Sequence, residues 1–146
     1  MHIFKRRARD ERGASAIEFA IVLLPLMMVI AGIVNFGVVF AQQLSLDNAT
    51  RAAARAGVVD TDPVVNVTDR ANDEFDAAIA RSQAGALTIT FPGAAGSSCD
   101  DSAFGSTMVV HGEVTSEFLI PWLFPESLLP GSVTLESEAA FQCEYS

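Results

Sequence analysis

From Phe19 to Ala41 the chain carries no charge, and Asn35 is the one strongly polar residue in the run. A helix over that stretch, at about 1.5 Å per residue, spans roughly 34 Å, enough to cross a hydrocarbon core of about 30 Å. Pro25, Gly32 and Gly37 would weaken a soluble helix but are common in membrane helices. Beyond the run, Leu46, Ala49, Ala53 and Ala56 recur at helical spacing in a stretch rich in Ala and Arg. The spacing predicts that the helix continues outward to Ala56, with Gly57 as its C-cap. A helix from Ala14 to Ala56 would be about 65 Å long and would project well beyond the membrane.

The period then changes. Asp60 to Val67, with Asp62-Pro63, reads as a loop. A second helix is expected from Thr68 or Asp69 to Gly85, with Ala71, Phe75, Ala78, Ile79 and Ser82 on one face. After Gly85 apolar residues alternate with polar ones. Leu87, Ile89 and Phe91 form one set, Met108, Val110, Val114 and Phe118 a second, and Val133, Leu135, Ala139, Phe141 and Cys143 a third. Each is a half-buried strand with one polar face, the pattern of an antiparallel sheet. The expected fold is α+β. A single N-terminal transmembrane helix (14–41) extends as an extracytoplasmic helix (42–57), and a small domain (58–146) holds a short helix and about three strands. Both helices should cover the sheet's apolar face.

Charge gives this layout a direction. The net charge is −9, but Lys5, Arg6, Arg7, Arg9 and Arg12 precede the apolar run against only Asp10 and Glu11. After the run, four arginines face fifteen carboxylates. Basic residues beside an apolar span stay in the cytoplasm, so the acidic body is expected outside. That body excludes a nucleic-acid partner, because it has no surplus of cations to neutralise phosphates. In an oxidising compartment Cys99 and Cys143 would form one bridge, whereas in the cytosol they would be two buried thiols. A cleaved secretory signal ending at Ala41 competes with the anchor reading, but its apolar core is ordinarily only about 7–15 residues long.

Catalysis finds little to work with. His2 lies in the basic tail and His111 on a strand's polar face, and no set of His, Cys and carboxylates has metal-ligand or triad spacing. No phosphate-binding glycine loop occurs, so neither a cofactor nor a small-molecule substrate is expected. Asp60 with Asp62 and Asp100 with Asp101 read as solvated turns rather than calcium sites. The segment from Phe118 to Pro130 holds three prolines among large apolar residues, which precludes a continuous helix or central strand. Its Trp122, Leu123 and Phe124 either complete a small core or form a patch for another subunit or the membrane interface.

Glu18 stands where the apolar run begins, five residues after Gly13. A carboxylate within hydrocarbon costs on the order of 2.5–3.5 kcal/mol at mid-membrane and less near the surface. A new ammonium at Ala14, created by cleavage after Gly13, would offset that cost one helical turn away. Arg12, snorkelling from the other side, is the simpler partner.

The stretch Arg9-Asp10-Glu11-Arg12-Gly13-Ala14-Ser15-Ala16-Ile17-Glu18-Phe19 resembles the prepilin processing motif of the tight-adherence (Flp) pilus system. Glu18 to Leu26 with Pro25, then Phe36-Gly37, then Gln42 to Gly57, resemble the TadE-like minor pseudopilins in particular. Phe19 replaces the usual Tyr, and Asn35 stands where relatives often carry an acid. The resemblance implies a basic leader (1–13), cleavage between Gly13 and Ala14 by a membrane prepilin peptidase, and recognition through Glu18 and Phe19. Glycine there should interrupt the helix and leave extended backbone for the protease. The implied partners are that peptidase, other pilins and pseudopilins, and the Tad membrane platform, with Glu18 setting register against a neighbour's ammonium. The alternative is an uncleaved bitopic protein with an extracytoplasmic binding domain.

Overall fold

The computed structural model describes residues 7–59, 65–76, 84–100, 102–120 and 130–144, with backbone only for 7–12. The chain forms α1 (Arg7–Gly57), α2 (Val67–Asp76), β1 (Thr88–Thr90), β2 (Thr107–Glu117) and β3 (Ser132–Gln142). This is the α+β architecture expected: a long apolar helix, a short one and a three-stranded antiparallel sheet in the order β1-β2-β3.

The long helix begins earlier than its apolar pattern predicts. It runs through Gly13 without a break, so the backbone at Gly13 is helical rather than extended. The residues around it, rich in Arg, Ala and Glu, are strong helix formers, and one interior glycine costs only about 1 kcal/mol relative to alanine. Pro25 also lies inside the helix, which continues past the hydrogen bond its ring cannot make.

Gly57 does end α1, but for a different reason from the one expected. Its φ is not positive; the glycines with positive φ are Gly96 and Gly105. A Cβ at Gly57 would fall 2.9 Å from Val67 Cγ2 and closer still to the end of the Met108 side chain. Here glycine makes room for α2 and β2. Asn66 caps α2, its side-chain oxygen accepting from the backbone N–H groups of Thr68 (3.0 Å) and Asp69 (3.2 Å). The later part of the expected second helix, with Ala78, Ile79 and Ser82, lies outside the described residues. Gly85 belongs to the sheet margin, where its N–H donates to Thr115 O.

Along β2 the even-numbered residues from Met108 to Ser116 are buried and the odd ones face outward. The outer half of α1 crosses that buried face. Leu46, Ala49, Ala53 and Ala54 are fully buried, while Ala56, expected among them, is only partly so. The crossing is close at Gly112, where a Cβ would stand 2.8 Å from Thr50 Cγ2 and 3.1 Å from Leu46 Cδ1. From α2, Val67 and Ala71 join Met108, Val110 and Ala139, and Phe75 joins Leu46, Val114 and Leu135. Burying Phe75 contributes about 2–3 kcal/mol. Cys99 and Cys143 are bridged, with Cα atoms 5.7 Å apart, pinning the loop after β1 to the end of β3.

Candidate membrane anchor and assembly site

Helix α1 divides by what covers it. From Gly13 to Val34 no residue is buried, and Ile17, Phe19, Ile21, Val22, Leu24 and Val29 are all more than half exposed. In water such a surface would be a large apolar patch without a partner. The bare stretch is about 33 Å long, the thickness of a hydrocarbon core. Among the described residues this is the one helix long and apolar enough to cross a membrane.

Cover begins abruptly at Asn35, which is 2 % exposed. Its carboxamide holds the backbone of Ile120 at both ends: Nδ2 donates to Ile120 O (2.8 Å), and Ile120 N donates to Oδ1 (2.9 Å). Irregular backbone near hydrocarbon must find its hydrogen bonds within the protein. Asn35 supplies both for the residue that leaves the sheet toward Pro121. Val39 is then half-buried and Gln42 buried, and the globular domain clasps the helix from there outward. The domain therefore reaches about 9 Å further down α1 than the end of the apolar run at Ala41 suggests.

The residues of the expected cleavage motif stand on the bare stretch. Gly13 has open space where a Cβ would be, Ala14 and Glu18 are exposed, and their i,i+4 spacing puts both on one face. Phe19 beside Glu18 is 66 % exposed. The backbone of Arg7 to Arg12 is helical, and Lys5 and Arg6 lie outside the described residues. So do Trp122, Leu123 and Phe124, although Leu119 and Ile120 place the start of their segment beside α1 at Asn35. His111 faces outward on β2. Among the described residues no three His, Cys, Asp or Glu converge as metal ligands.

Comparison with known families agrees with this geometry. Residues 13–55 match the TadE-like protein family. No curated protein and no solved structure matches the chain. The TadE-like segment starts at Gly13, includes the bare span and Asn35, and ends at Arg55 in the buried outer half of α1.

Two features escaped the sequence reading. The Asn35–Ile120 pairing joins positions 85 apart, and the sequence signals only half of it, a lone amide in an apolar run. The second is a groove beside the TadE-like helix, lined by Arg51, Arg55, Arg70 and Phe141 among others. Arg51 and Arg55 share a face by spacing, but only folding brings Arg70 and Phe141 to them.

Proposed function

We propose that this chain is a minor pseudopilin of a Tad-type pilus. The N-terminus lies in the cytoplasm, the disulfide-bridged domain outside, and a prepilin peptidase cuts between Gly13 and Ala14. The observation that carries the reading is the bare TadE-like helix with Glu18 on the same face as Ala14, one turn from the proposed new terminus. After cleavage the Ala14 ammonium offers that carboxylate a partner, within the subunit or on its neighbour, and in low dielectric the pairing fixes axial register. The domain beyond α1 is sizeable, which favours an initiating or capping subunit over a shaft subunit built mostly of helix. Other pilins, pseudopilins and the Tad membrane platform are the partners this requires.

The unbroken helix through Gly13 favours a second reading, an uncleaved bitopic protein, because proteases bind extended backbone. For cleavage, the peptidase must unwind a turn at Gly13, where glycine makes unwinding easiest. Mass spectrometry of the N-terminus from cells with active peptidase separates the two. A mature chain starting at Ala14 supports the pseudopilin, and retention of Met1 refutes it.

A further inference from the structure

The domain outside the membrane is strongly acidic, yet three of its four arginines meet in one place. Arg51 and Arg55, one turn apart on α1, and Arg70 of α2 line an open groove of about 690 Å³ whose apolar wall includes Phe141. Arg70 is partly neutralised by Glu74 at i,i+4. Among the described residues, Arg51 and Arg55 have no ion-pair partner. A concentrated positive site on a negative body is complementary to an anionic surface.

Such a surface lies on the other side of the same molecule. On the outward face of the sheet Glu113 is registered directly against Glu136, and Glu138 against His111. Like charges directly opposite each other destabilise a sheet. Among the described residues no Lys or Arg offsets them. The two sites also lie at adjoining levels along α1. Thr50 Oγ1 and Ser137 Oγ are 3.0 Å apart and Gln43 Nε2 donates to Glu136 O (3.0 Å), so Glu136 and Glu138 lie beside the part of α1 just below and at Arg51, where the groove begins. The groove opens on the helix side of the sheet and the glutamates point away from it. Copies anchored in parallel in one membrane would therefore bring the groove of one against the glutamates of the next with an axial shift of about one helical turn.

We propose that the arginine groove of one copy receives the acidic sheet face of a second copy of this chain. The contact is heterologous, leaving a free groove at one end and a free acidic face at the other. It requires parallel anchoring but not removal of the leader, so its outcome is separable from that of the cleavage experiment.

The test uses two full-length chains in detergent micelles, one carrying Arg51→Glu with Arg55→Glu and the other Glu136→Arg with Glu138→Arg. Self-association is followed by sedimentation, and folding by thermal melting with the disulfide intact. The unmodified chain is expected to associate at low salt and to dissociate as salt screens the contact. Each reversed chain alone should associate at least about tenfold more weakly, since both its surfaces then carry one sign. An equimolar mixture should recover the original association, because each groove again meets an opposite charge. Reversed chains that fold and associate as the unmodified chain does, or a mixture that stays monomeric, would overturn the proposal.

Discussion

Asn35 and Ile120 are joined by two hydrogen bonds, of 2.8 and 2.9 Å, between one side-chain amide and one residue's backbone. The side chain acts as a short piece of strand, offering a donor and an acceptor together. A carboxylate in its place would accept from Ile120 N–H but could not donate to its carbonyl. The pairing fixes where the globular domain stops along the helix, and therefore how much of α1 is left to lipid.

Replacing Asn35 with Leu strands a donor and an acceptor of Ile120 and should destabilise the domain by about 2–4 kcal/mol. Asn35→Asp should cost at least as much, because a buried carboxylate oxygen would face the Ile120 carbonyl oxygen although the Ile120 N–H keeps its partner. Thermal melts of the two variants in detergent give the ranking, and equal stability of all three chains would contradict the role assigned to the pairing.

Gly112 is where α1 touches the sheet, with Thr50 and Leu46 within 3.1 Å of any added Cβ. Gly112→Val should cost about 1–3 kcal/mol through overpacking. Gly131→Ala, in open space, should stay within about 0.5 kcal/mol of the parent. Chemical denaturation of the pair distinguishes a packing effect from a general loss of glycine.

The Cys99–Cys143 bridge closes a loop of 44 residues' separation. Loop-closure entropy assigns it about 4 kcal/mol. Cys99→Ser with Cys143→Ser, or reductant added to the parent chain, should lower the melting temperature by similar amounts. Reductant acting on the double variant should change nothing further.

Glu18 is exposed on the bare helix and packs against nothing in its own chain's domain. Glu18→Ala should therefore leave the isolated protein's stability unchanged while impairing pilus assembly, with the leader still removed. Normal piliation in that variant would remove the register role.

Much of this was readable from the chain itself. The apolar run, the period-two segments and the charge imbalance each report a local regularity, and helix, sheet and anchor follow from them without knowledge of long-range contacts. The strand alternation in β2 matched the observed burial because one face of a sheet must be covered. That Ala14 and Glu18 share a face was legible for the same reason, both lying on one helix four residues apart.

Other features depended on distance in sequence. The sequence marked Asn35 as an oddity, but only the return of the chain after β2 supplied Ile120 to satisfy it. Gly57 was read as a helix stop from its position, whereas its neighbours show it is there to admit Met108 and Val67. Arg51, Arg55 and Arg70 looked like scattered cations until α2 folded beside α1. Local patterns record what each segment buries or exposes; which buried surfaces meet is settled by packing, and that sets the membrane boundary and the charged faces.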